Sequence, residues 1–230
     1  VRTTDTIYLN IPETKKFNPE IEIRASRASR EVMDHFPLHT HKRLAPIILD
    51  LRVIKEKEEI EEITKACAIT GDAFLRVLKN IRPGISEKAI EAEISYEFIK
   101  ANSEHAYSPI IGSGKNACVL HYTENNQICK DGDLVLMDFG AEYNNYAADC
   151  SRTIPVNGKF SARQAEVYDG LHHVFLKAIS LMVPGRKMSE VHKEVCELMK
   201  HYHIYLGLYS EKDFEENKKT DPLWFNFYMH

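Results

Sequence analysis

A chain of 230 residues, 43% hydrophobic and 28% charged, can bury a sizeable core and has the composition of an ordinary globular protein. Its formal net charge of −4 gives no electrostatic reason to expect nucleic acid or an anionic membrane as a partner. No apolar run approaches the ~18–20 residues of a membrane-spanning helix, and no signal-peptide pattern opens the chain.

Residues 1–45 stand apart. Thr6-Ile7-Tyr8-Leu9 reads as a short strand, and polar, proline-punctuated sequence follows through Pro37. From Pro46 the pattern becomes regular. Ile54 to Leu78 is expected to be a long helix, with Ile60, Ile63, Cys67, Phe74 and Leu78 at helical spacing and Arg82-Pro83-Gly84 as its stop. Ser86 opens a second helix through Ile90, Ile94 and Phe98 to about Lys100. Tyr107–Ile111, a turn at Gly112-Ser113-Gly114 and a strand at Ala117–Leu120 come next. A third helix is expected from Ser161 to about Met182, broken by Pro184-Gly185, and a fourth from Ser189 to Tyr202. Residues 210–221 read as a charged, solvated loop or helix. A Pro-Gly break after the long helix of each half hints at a duplicated unit. Helices segregated from an antiparallel sheet indicate an α+β domain.

The chemistry concentrates in Leu134-Val135-Leu136-Met137-Asp138 and Tyr146-Ala147-Ala148-Asp149. With 134–137 and 146–154 as strands and Glu142-Tyr143-Asn144-Asn145 as the turn, a hairpin centred between Tyr143 and Asn144 places Asp138 opposite Asp149. Opposed carboxylates repel at about 5 Å between Cβ atoms, so the pair wants a cation or a proton. A hard divalent ion suits such oxygen ligands. His121, after the strand-like 117–120, could be a ligand, a proton shuttle, a donor to a developing oxyanion, or a satisfied, partly buried histidine. His172, His173, His201 and His203 have no acidic residues at ligand spacing, and there is no H-E-x-x-H, G-x-S-x-G or Walker motif. The five scattered cysteines lack C-x-x-C spacing, which suits a reduced intracellular compartment and no zinc–thiolate site.

Three stretches resemble a known family: Tyr107-Ser108-Pro109 through His121-Tyr122-Thr123-Glu124-Asn125, Asp138-Phe139-Gly140-Ala141-Glu142-Tyr143 with Tyr146-Ala147-Ala148-Asp149, and Arg152-Thr153-Ile154-Pro155-Val156-Asn157-Gly158-Lys159-Phe160. They are similar to the Xaa-Pro aminopeptidases (aminopeptidase P), pita-bread metallopeptidases related to prolidase and methionine aminopeptidase. The similarity is strong over about 46–210 and faint over 222–230, and 1–45 resembles the end of the family's amino-terminal domain or a linker. The resemblance implies an α+β pita-bread catalytic domain over 46–230, incomplete at its carboxyl end. It also implies two divalent metals, usually Mn(2+), with Asp138 a bidentate ligand of one and Asp149 bridging both, and His121 near the scissile bond. His230 would be the substrate-side histidine at the start of a His-Gly-x-Ser-His segment. The remaining ligands, one histidine and two glutamates, would lie beyond it, so the chain reads as cut, starts with Val1 rather than Met, and is expected to bind metal weakly and lack activity by itself. The implied reaction is metal-dependent removal of the first residue from peptides with proline second, by a cytoplasmic enzyme with peptide substrates, with a homodimer as a candidate assembly. Prolidase, which takes dipeptides, and a non-catalytic pita-bread module that binds peptides or proteins are the alternatives.

Overall fold

The computed structural model describes residues 3–11 and 23–217. Near its start, β1 (Thr6–Leu9) pairs in parallel with β2 (Thr40–Arg43), Thr6 opposite Thr40, across α1 (Arg24–His35). The strand at Thr6–Leu9 is as expected; α1 and β2 are additions, since 24–35 is a polar stretch with few apolar anchors.

The expected helix from Ile54 to Leu78 is α3 (Lys57–Asn80), and a shorter helix, α2 (Ala45–Val53), precedes it. Ile54 is extended, and Glu56 opens α3 with a reciprocal capping box to Glu59. Next comes α4 (Glu87–Lys100), whose first turn is capped by the Ser86 hydroxyl accepting from Ala89 N–H at 3.0 Å. Short strands follow: β3 (Glu104–His105), β4 (Ile110–Ser113), β5 (Leu134–Phe139), β6 (Ala141–Tyr143), β7 (Tyr146–Ala147) and β8 (Cys150–Pro155). Helices α5 (Ala162–Leu181) and α6 (Met188–Tyr205) match the third and fourth expected helices within a few residues, and α7 (Glu211–Asn217) lies in the charged stretch, of which 218–221 fall outside the described residues. No helix among the described residues is long and apolar enough to cross a membrane.

Two small antiparallel sheets carry the centre, in the orders β4-β5-β8 and β3-β6-β7. Along β5, burial alternates strictly: Val135, Met137 and Phe139 are fully buried, while Leu134, Leu136 and Asp138 are partly so. The buried side meets Ala73 and Val77 of α3 and Ile90, Ile94 and Phe98 of α4, together with Ile111, Ala141 and Val156. Strand β8 is an outer strand of its sheet.

Two local expectations are corrected. Residues 114–118 form a 3-10 turn rather than part of a strand, and 119–121 continue as turn. Gly112 permits that fold-back, because a Cβ there would lie 2.9 Å from the Asn116 backbone. The hairpin turns at Asn144-Asn145, not between Tyr143 and Asn144: Tyr143 pairs with Tyr146, and both asparagines have positive φ, 48° and 68°. That is the arrangement of a two-residue turn whose twist suits a hairpin, and asparagine tolerates it.

Candidate metal centre

Correcting the turn shifts the register by two. Asp138 lies opposite Ser151, and Asp149 sits one position before β8 begins. A slip of two preserves the side to which a residue points, whereas a slip of one would have reversed it. Asp149 is therefore a diagonal rather than a direct neighbour of Asp138. The two carboxylates still converge: the Tyr107 hydroxyl lies 2.7 Å from Asp138 Oδ1 and 2.9 Å from Asp149 Oδ1. Asp138 is half-buried and Asp149 exposed, on the side of β5 away from the helices. The run of apolar residues before Asp138 thus belongs only by alternation to the core; the carboxylate itself faces outward.

Three local features bring this trio together. His105 pairs with Ala141, and Ala106 N–H donates to Gly140 C=O at 2.9 Å, which carries Tyr107 alongside the end of β5. Gly140 lets the strand after Asp138 pass close to the strand before Asp149, since a Cβ there would lie 1.8 Å from the Ala148 carbonyl oxygen. The hairpin tip is tied to α3 by Tyr146 OH donating to Glu59 at 2.8 Å and Asn144 Nδ2 donating to Glu62 at 3.0 Å.

A phenol has one proton and can donate to only one carboxylate at a time. Two anionic oxygens drawn to one donor leave a demand for positive charge, and an all-oxygen anionic donor set suits a hard cation. Burial, then the hydrogen bonds to Asp138 and Asp149, push the Tyr107 phenol well above its ordinary pKa, so it stays protonated and keeps its role as donor. Among the described residues no group of three or more metal-ligating side chains is assembled, so the pair is at most part of a centre.

His121 lies on the loop between β4 and β5, exposed, with φ of 51°. No hydrogen bond joins it to Asp138, Asp149 or Tyr107 among the described residues. His230 lies outside the described residues. Tyr107 has no role in the sequence pattern beyond its place in the Tyr107-Ser108-Pro109 run; a tyrosine just ahead of a strand that flanks two aspartates is the signal for it.

A small antiparallel sheet backed by two helices, with paired carboxylates on its open side, defines an α+β domain that carries part of a hard-cation donor set. Residues 61–220 match Metallopeptidase family M24, and the chain belongs to that family. The Xaa-Pro aminopeptidase of Escherichia coli K12 is 42% identical over 164 residues, covering 71% of this chain and 37% of that protein. Proline aminopeptidase P II from Yersinia pestis superposes with a TM-score of 0.76 at 34% identity, over 88% of this chain and 47% of that one. Zinc-substituted E. coli aminopeptidase P in complex with product gives 0.80 at 32% identity, over 94% of this chain and 50% of that one. The fold is thus that of part of the pita-bread aminopeptidases, and the chain spans between 37% and 50% of these relatives' length.

Proposed function

We propose that a polypeptide of the relatives' full length, carrying this chain, is a metal-dependent Xaa-Pro aminopeptidase that removes the first residue of peptides with proline second. The observation that carries this reading is the convergence of Asp138 and Asp149 on the Tyr107 hydroxyl in a chain of family M24. Asp138 and Asp149 are assigned as two of the ligands of a pair of divalent ions, with Mn(2+) the metal we favour. Bound there, such ions supply a water of lowered pKa and a Lewis acid for the scissile carbonyl. Tyr107 holds the two carboxylates in place, and His121 offers a ring nitrogen that can carry a proton or donate to the developing oxyanion. His230 is assigned to the substrate side. Proline at the second position offers no amide N–H, so its pocket is selected by shape rather than by accepting a hydrogen bond.

Residues 1–45 are assigned to the end of an amino-terminal domain or a linker, and 46–230 to a partial catalytic domain; the separate β1–β2 sheet supports that division. The scattered, unbridged cysteines favour a cytoplasmic location. Peptides are the proposed partners, with a homodimer as candidate assembly.

The test uses the full-length polypeptide with Mn(2+), offering a tripeptide with proline second and an Xaa-Pro dipeptide side by side. Cleavage of the tripeptide, abolished in Asp138→Asn and Asp149→Asn, is the expected result. Cleavage of the dipeptide alone would make the enzyme a prolidase. Absence of cleavage together with absence of manganese binding would leave a non-catalytic module.

A further inference from the structure

His121 and Asn125 both occupy left-handed backbone, φ 51° and 48°, a conformation that asparagine tolerates and that is uncommon for other residues carrying a Cβ. The exposed His121 ring cannot hold that shape itself, so something else must. The loop's ties run to Glu87, the first residue of α4, whose side chain is fully buried. Its Oε1 accepts from Ser113 N–H at 2.7 Å, Ser113 Oγ at 2.8 Å and Asn116 Nδ2 at 3.2 Å. Its Oε2 accepts from Tyr122 OH at 2.8 Å and Gln127 N–H at 2.9 Å. In return, Glu87 N–H donates to Gln127 C=O at 2.9 Å. Asn125, also buried, adds a second anchor: it accepts from Ile111 N–H and donates to Glu91 and to Pro109 C=O.

Among the described residues every group that meets the Glu87 carboxylate is uncharged, so a buried anion is held by donors and by the positive end of α4 rather than by a cation. None of those donors belongs to α4. Ser86 already caps that helix, so the carboxylate is not needed there. All the donors lie between 113 and 127: the start of the loop, its 3-10 turn, the residue following His121, and the loop's return.

We infer that Glu87 is a positioning residue, whose carboxylate clamps the 113–127 loop so that His121 presents one fixed orientation to the peptide site. The assignment rests on the catalytic reading of His121. Glutamine is the discriminating replacement. Each carboxylate oxygen receives a backbone N–H, from Ser113 on one side and Gln127 on the other, and neither can turn round to accept. In either orientation of the amide, Glu87→Gln therefore sets an NH2 against a fixed N–H donor.

Two readouts test this. In the 230-residue chain, amide exchange across 113–127 should rise at least ~10-fold in Glu87→Gln while the middle of α4 keeps its protection; unchanged loop exchange overturns the clamp. In the full-length polypeptide, Glu87→Gln should lower kcat roughly 10–100-fold with KM within about twofold, and should lower it no further when His121→Ala is already present. Additive losses in that double variant would make Glu87 a stabiliser of the fold only. Tyr122→Phe, which removes one donor and leaves the other ties in place, should move both readouts the same way by a smaller step, and covers the case in which Glu87→Gln does not fold. If His121→Ala alone leaves kcat unchanged while a tripeptide is still cleaved, the proposed role of His121 falls and the assignment of Glu87 with it. If no peptide is cleaved even by the unaltered protein, it is the aminopeptidase reading that fails, and loop exchange still reports whether the clamp exists.

Discussion

Tyr107 stands between two carboxylates that would otherwise confront each other across the open side of the sheet. Removing its hydroxyl in Tyr107→Phe takes away the donor that aligns them, and manganese affinity of the full-length polypeptide should fall about 10–100-fold, as read by calorimetric titration. A second residue governs the response to acid. One ring nitrogen of His105 meets Ser95 Oγ at 2.8 Å, the other is buried without a hydrogen-bond partner among the described residues, and the ring stacks edge-on against Phe98. Burial lowers its pKa, and the nearby Glu91 only partly restores it. A base with a folded pKa below its unfolded value stays neutral in the fold, so its stabilising contribution is complete above about 6.5 and is lost as pH falls through that value towards the folded pKa. The urea midpoint should drop between pH 7 and pH 5, and His105→Gln should flatten that drop. It should not abolish it, because burial lowers the pKa of His203 in the same direction.

At the scale of the element, the hairpin between Asp138 and Asp149 decides whether the site exists. Gly140 is its narrow point. Adding a methyl group there forces the chain away from the Ala148 carbonyl, so Gly140→Ala should cost about 3 kcal/mol or more in urea unfolding and should part the two aspartates. The long helices and the strand at 134–137 were legible in the sequence because amphipathic periodicity and alternation are local properties. The register was not, because Glu142-Tyr143-Asn144-Asn145 offers two centres and only the positive φ of both asparagines selects the later one. The shared side of Asp138 and Asp149 survived that error, since an even slip leaves alternation intact. The expected strand at 117–120 failed for a different reason: Glu87 holds the loop's ends and turn from another helix, and nothing in the apolar letters of Ala117–Leu120 reveals that. In the sequence Glu87 is one acidic residue in a first helical turn, with no local signal of the burial of its side chain.

Across the whole molecule, α3 and α4 form one wall against the buried side of β5, joined by Arg76, which bonds Glu97 and Glu93 of α4 and lies over the Tyr96 ring at 3.9 Å. Phe98 is the centre of that wall, packed near Phe139 and His105. Phe98→Ala should cost about 3–5 kcal/mol in urea unfolding, the loss expected for a fully buried aromatic ring. The parallel pairing of β1 with β2 was invisible in sequence, because its partners are separated by a helix and by residues outside the described set.

β8 closes its sheet on one side only, leaving a row of main-chain amides and carbonyls facing away from β5 with no neighbouring strand among the described residues. An open border of this kind invites another extended segment to add itself, whether from the same polypeptide or from a stranger. The guanidinium of Arg152, near the middle of that border and exposed, is the feature that discourages strangers. Its replacement by valine should hasten the growth of thioflavin-positive aggregates when the chain is stored at high concentration.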